Sequence, residues 1–409
     1  MALYNLRRVA TTTTGTGTIT LGSTVTGFKA FTDAPAIPDQ TWVTYAIADT
    51  SNSEIGYGLY STSGATLTRN VIESTNSNTA ISLTGSAQVF ITPTSGDIQS
   101  DTAFPNRIRN GGMDIWQRGT SAITITTAGA YTADGWIVLP TGASVTAAQA
   151  SGRLLTANSL QVTGAASVTD VIIKQRIESL IAAAMTSQQV VLQAWIFNST
   201  GGSITPTLTV KHPNSADNYA GTTTDVSAVN LQPCANSAWT QVMYAFTASA
   251  SSANGMEISI DFSNNFSSGA KTIQLAEVDL RVAPGYPTGL TQIAPEPQFR
   301  PVHEELLFCQ RYFLATYDPG TTPGTATRNG LVGFSTSLPL SFPVKMRIAP
   351  TSFLYWDGAG NASKVSSYSA GWTDNETGLT NIMTGAGSAL FTCGSTNSPI
   401  IHYTATAEL

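Results

Sequence analysis

Seven residues near the end of the chain bring together side chains that recognise sugars. Tyr355, Trp356, Asp357, Tyr368, Trp372, Asp374 and Asn375 stand among Gly and Ser. A sugar ring packs its C–H face on a flat aromatic surface and pairs its hydroxyls with amides and carboxylates, and this stretch offers both. Trp356-Asp357-Gly358 and Gly371-Trp372-Thr373-Asp374 read as loop tips that carry an aromatic beside an acid. These seven residues form the candidate glycan-binding set. Aromatics at such positions also serve as ordinary core.

Other chemistries find little support. There is no G-x-S-x-G elbow around a serine nucleophile. His212, His303 and His402 lie far apart without metal-binding spacing, and structural roles suffice for all three. Glycoside hydrolysis needs two carboxylates across a cleft, and nothing in the sequence selects a pair. Alternation in Glu277-Val278-Asp279 places both acids on one strand face, read as a solvated face. The acidic Asp374-Asn375-Glu376 lacks the spacing of a calcium loop. Cys234, Cys309 and Cys393 are odd in number and widely spaced, which predicts buried free thiols. The expectation is a non-enzymatic protein with no catalytic residue, metal or cofactor.

Composition narrows the class further. The 409 residues carry 19 basic and 25 acidic side chains, a net charge of −6, and only 11% charged residues beside 42% hydrophobic ones. Phosphate neutralisation needs clustered Lys and Arg, so no nucleic-acid partner is expected. Ser and Thr make up roughly a quarter of the chain, a bias that itself carries information. The apolar stretches fall well short of the roughly 18–20 residues that cross a bilayer, so no membrane insertion is expected. Met1 to Arg8 has charges with no apolar run behind them, which predicts no secretory signal.

The elements that must position these residues are strands. Thr or Ser alternates with apolar residues through the first hundred positions, with Gly and Asn at the turns. Trp42–Ile47 and Glu54–Tyr60 read as a hairpin, followed by strands at Leu67–Ile72 and Ala80–Leu83. Residues 1–97 form an N-terminal β domain and 98–105 a linker. Residues 106–283 read as a two-sheet sandwich of jelly-roll type, with strands at Val190–Phe197, Thr207–Val210, Thr240–Phe246, Met256–Phe262 and Ile273–Val282. Val171–Met185 reads as a strand followed by a short helix. Five prolines between 284 and 301 predict a second linker. Val302, Leu306, Cys309 and Phe313 then space out a short amphipathic helix before a smaller C-terminal β domain, 302–409. The fold class is all-β.

Several blocks together resemble a known family. Asn106-Arg-Ile-Arg-Asn-Gly-Gly-Met-Asp-Ile-Trp-Gln-Arg-Gly-Thr120, then Tyr131-Thr-Ala-Asp-Gly-Trp136, is similar to the opening of the jelly-roll module of bacteriophage tail-fibre and related virion proteins. Lys174–Glu178, Ala194-Trp195, Leu275–Val278, Glu304–Phe313 and Phe342–Pro350 follow in the order that resemblance implies. Residues 1–97 resemble the N-terminal module of such fibres. Gly135 departs from the pattern, which commonly has a basic residue before Trp136.

The resemblance implies a virion structural protein, a tail fibre made in the host bacterial cytoplasm and exposed on the particle. It implies attachment to other phage tail or capsid proteins through residues 1–97, a homotrimer, and binding of a host-surface polysaccharide or receptor. A head fibre or spike fits the same blocks. A tailspike depolymerase is the enzymatic alternative.

Overall fold

The computed structural model describes residues 3–94, 97, 106–283, 286, 288–291, 294–332, 337–393 and 398–409. The expected linker 98–105 lies outside the described residues. The architecture is all-β, with a four-residue helix at Ser179–Ala182 and a nine-residue helix at Val302–Gln310.

Alternation produces the N-terminal sheet. In Thr41–Asp49, Val43, Tyr45 and Ile47 point inward, and the strand pairs along its full length with Asn52–Ser61. A buried Arg69–Glu54 ion pair sits beneath this sheet, and Tyr45 donates to Glu54 at 2.9 Å. The stretch read as one strand at Leu67–Ile72 is broken into Thr66–Leu67 and Asn70–Ser74. Both pieces pair with Asn52–Ser61, at different parts of that strand. Of Ala80–Leu83 only Leu83 is in a strand, Leu83–Thr84.

The central sandwich is a jelly roll. Eight strands run in order Asn158–Thr163, Asp170–Ile177, Gln189–Ser199, Thr207–Pro213, Thr222–Asn230, Ala238–Thr247, Met256–Asp261 and Thr272–Val282. The first, eighth, third and sixth lie side by side in one sheet; the second, seventh, fourth and fifth lie side by side in the other. Short outer strands extend these to seven and six. Val190, Leu192, Ala194 and Ile196 meet Ile173, Leu208, Val210, Ile258 and Ile260 in one continuous apolar core. The piece read as strand then helix is so built, with a strand to Ile177 and helical turns through Met185.

Two expectations about the end of this sandwich change. Glu277 and Asp279 are both wholly buried rather than solvated. A bulge between Gln193 and Trp195 shifts the pairing, Glu277 takes a positive φ of 51°, and the acids turn into protein partners. The proline-rich stretch after 283 is also no free tether. Gly289–Leu290 adds an edge to the seven-stranded sheet, and Gln193 donates to the Pro295 carbonyl at 2.6 Å. Gln298 N–H reaches Asp279 at 3.2 Å.

The helix ends at Gln310 because Phe313–Ala315 already pairs with the last strand, Ser398–Thr406. That last strand organises the C-terminal region, since Leu331–Val332, Ser352–Trp356 and Val365–Tyr368 also pair with it. Cys234, Cys309 and Cys393 are buried and stand outside any disulfide. His212 lies in the strand Thr207–Pro213 with Nδ1 2.8 Å from Asp225.

Candidate functional site

The seven sequence-selected residues separate into two groups. Tyr355 is a core residue whose hydroxyl accepts from Leu379 N–H at 2.8 Å. Asp357 is wholly buried; its carboxylate accepts from Ala359, Asn361 and Asn375 N–H groups and from the Asn361 amide, so it shapes two loops. Trp356 ends a strand and meets Tyr317 edge-on. Asn375 takes a left-handed φ of 62° within the strand Trp372–Glu376. Neither tryptophan sits at a loop tip.

The second group is a surface cluster. Tyr368 and Trp372 are 49% and 42% exposed, with ring centroids 5.0 Å apart. Arg328 lies 4.9 Å from the Trp372 centroid. Its guanidinium grips Asp374 through both terminal nitrogens, and Ser366 shares one carboxylate oxygen. Arg328 beside it holds the Asp374 carboxyl below its ordinary range. An acid satisfied in this way is a brace for the hairpin. Asp374, Asn375 and Glu376 therefore have protein partners, and no metal-holding group of acids, His or Cys occurs among the described residues.

A different surface emerges on the jelly roll. Side chains of the seven-stranded sheet alternate between core and exterior, so the exterior residues form rows across the strands. One row runs Trp239, Phe197, Gln274, Gln161 and Ala148, each directly opposite the next. The neighbouring row places Gln241, Trp195 and Ala276 side by side. A third consists of Ser199, Thr272, Thr163 and Thr146. Five adjacent strands span about 19 Å at the usual strand spacing. Trp239, Phe197, Trp195, Gln241, Gln274 and Gln161 are all partly exposed.

The row has a hydrophobic end and a polar end. Phe197 and Trp239 lie 5.5 Å apart, tilted by 54°. Gln274 donates weakly to Gln161 at 3.4 Å and accepts from Ser159 at 3.0 Å, which leaves amide capacity towards solvent. The other end of the same face is covered. Val191 and Ala245 pack with Tyr57 and Tyr286, and Gln193 lies under Pro295. The open face is therefore a bounded patch between that cover and the sheet edge.

Sequence reading did not select these residues, although the signal was present. Once Val190, Leu192, Ala194 and Ile196 are assigned to the core, the opposite phase of the strand reads Val191, Gln193, Trp195 and Phe197. Two aromatics on the non-core phase of a central strand are out of place unless something covers them.

The blocks that carry the phage-fibre resemblance build the frame beneath these surfaces. Gln117 donates to Asp134 at 2.6 Å and to the Phe313 carbonyl at 2.7 Å, and accepts from Ala315 N–H. Arg118 bridges Asp134 and Glu408, both at 3.0 Å, with its guanidinium 3.6 Å from the Phe313 ring centre. Asn110 N–H donates to Glu305 of the nine-residue helix at 2.7 Å. Gly135 packs against the Arg109 side chain, where a Cβ would approach its Nε to 2.6 Å. These residues fasten the sandwich to the C-terminal sheet.

No family profile matches the chain, and no curated protein matches it. Solved structures give partial likenesses. A tailspike protein 4 enzymatically active domain from bacteriophage CBA120 has a TM-score of 0.31 and 14% identity over 44% of this chain, which spans 22% of that protein. A CBM22 xylan-binding domain from Paenibacillus barcinonensis has a TM-score of 0.26 and 13% identity, covering 41% of this chain and 97% of that one. A carbohydrate-binding module of the β-sandwich superfamily has a TM-score of 0.30 and 9% identity, covering 68% and 99%. No residue role passes from these likenesses to this chain.

Proposed function

We propose that this protein is a non-enzymatic carbohydrate-binding component of a bacteriophage virion, a tail fibre that engages a host-surface polysaccharide through the open face of its jelly roll. The observation that carries the binding reading is the Trp239–Phe197–Gln274–Gln161 row, an aromatic platform continuous with amides that can pair sugar hydroxyls. The acids nearest this face speak for binding rather than hydrolysis. Glu277 and Asp279 are buried and engaged by backbone N–H groups and Arg281, so they present no acid–base pair to a ligand.

The virion assignment rests on the ordered sequence blocks. In that reading residues 1–97 dock to other phage proteins, and a homotrimer multiplies weak sugar sites. A head fibre or spike would use the same parts. The exposed Tyr368–Trp372 pair supports a second contact with the host surface at the C-terminal region.

Retention of the full chain on host-envelope polysaccharide tests the binding reading. Trp239→Ala should weaken it about thirtyfold, the size expected when a central aromatic worth about 2 kcal/mol is removed. Trp372→Ala should change it less than twofold. The reverse order would move the site to the C-terminal cluster.

A further inference from the structure

Trp195 stands in the open face, but its indole is not free. The Arg153 guanidinium lies 3.2 Å from the indole ring centre, where a sugar ring would otherwise stack. At this place the surface therefore presents a cation on an aromatic plinth. Ala276, directly opposite Trp195, is small enough to let Arg153 cross from the loop after Val145–Ser151.

The buried acid Glu277 holds that arginine in place without consuming it. Glu277 accepts from Leu154 and Leu155 N–H at 2.9 and 2.8 Å, both through Oε1, and this fixes the loop that carries Arg153. Its other oxygen, Oε2, is buried and accepts no hydrogen bond; it lies 3.6 Å from one Arg153 terminal nitrogen. A guanidinium has five N–H donors, and among the described residues no group accepts a hydrogen bond from Arg153. The side chain is still 25% exposed. A fork positioned by stacking and by a carboxylate behind it, with its donors unspent, matches a planar anion arriving from solvent.

We infer that the jelly-roll face takes an acidic polysaccharide, with Arg153 on Trp195 pairing the carboxylate of a uronic acid unit while Phe197 and Trp239 pack the next part of the chain. This rests on the proposal that the face binds glycans and adds the class of glycan and the residue that selects it. A neutral sugar offers the guanidinium only separate, uncharged hydroxyl acceptors, whereas a carboxylate accepts two parallel hydrogen bonds from it and pairs its charge while the arginine stays on the indole.

Titration calorimetry of the full chain separates the two claims. The probes are polygalacturonate, alginate and hyaluronate, each beside its carboxyl-reduced neutral form, with Arg153→Gln and Trp239→Ala as variants and melting temperature as the check on folding. The expected result is at least tenfold tighter binding of one acidic polymer than of its reduced form. Arg153→Gln should abolish that preference while binding to the reduced form persists, added salt should erode it, and Trp239→Ala should weaken both forms. Equal binding of the acidic and reduced forms, unchanged in Arg153→Gln and lost in Trp239→Ala, would overturn the acidic preference and leave the glycan face standing. Binding indifferent to Trp239→Ala, or no binding to any of the six polymers, would overturn both.

Discussion

The molecule contains two surface tryptophans with an arginine laid against each, and the two arrangements have opposite consequences. At Trp372 the guanidinium of Arg328 is gripped on both terminal nitrogens by the surface acid Asp374. At Trp195 the guanidinium of Arg153 has a buried acid behind it at 3.6 Å and, among the described residues, no hydrogen-bond acceptor. The same residue types make a closed brace in one place and an open fork in the other. What decides between them is the side from which the carboxylate approaches.

Three perturbations sharpen this contrast. The largest effect is expected at the joint that carries both regions. Arg118→Ala leaves Asp134 buried without its ion pair, a change that typically costs about 3–5 kcal/mol. Scanning calorimetry should show a marked fall in melting temperature. Polysaccharide binding measured well below that temperature should remain within twofold of the parent, because Trp239, Phe197 and Arg153 all belong to the sandwich. Loss of binding in a folded Arg118→Ala variant would mean that the C-terminal region contributes to the site.

A smaller effect tests the brace itself. Asp374→Asn should release Arg328 on Trp372 and create an anion-binding fork where none acts now. Affinity for carboxylated polysaccharide should rise a few-fold, or gain a second weak step. Stability should fall by less than about 1 kcal/mol, the usual worth of an exposed pair. If Asp374→Asn leaves binding unchanged in the presence of an intact sandwich site, a free arginine on an indole is not enough and the Gln row is essential.

Acid gives the smallest and most selective change. Burial pushes Asp134 up to about 6, against the opposing pull of Arg118, and burial, followed by the hydrogen bond that protonated Asp170 donates to Asp261, pushes Asp170 up to about 6. Both release their protons near 3.8 when unfolded, so between those values the native chain holds protons that the unfolded chain has lost. Stability from these two groups therefore falls as pH rises through about 4 to 6, and the melting temperature should be higher at pH 5 than at pH 7. Asp134→Asn should flatten that difference. Over the same interval the Arg328–Asp374 brace should stay closed, because the Asp374 carboxyl is held below its ordinary value and titrates only in stronger acid.

Much of the fold could be read from the sequence because strand period and burial are directly coupled. The hairpin Thr41–Ser61 follows from alternation and turn residues, and the strand-then-helix piece to Met185 from β-branched residues giving way to helix-forming alanines. The site was harder. The cluster of Tyr and Trp near the end of the chain has the right composition, yet Tyr355 and Asp357 turn inward and Arg328 comes from 46 residues away to close on Asp374. The jelly-roll face is spread over five strands that are distant in sequence, with Trp239 opposite Phe197 and Gln274 opposite both Phe197 and Gln161. Only strand register brings those residues together. The bulge that buries Glu277 behind Arg153 is likewise set by tertiary pairing, and local alternation points the other way.

The central claim is that the glycan lies on the jelly-roll face, and fluorine resonance on 5-fluorotryptophan-labelled full chain tests it directly. The seven tryptophans give separate probes, each assigned by a Trp→Phe substitution. On addition of a polysaccharide fragment that the protein retains, the account predicts shifts at Trp195 and Trp239, with Trp372 and Trp356 unmoved. Shifts confined to Trp372 would contradict it.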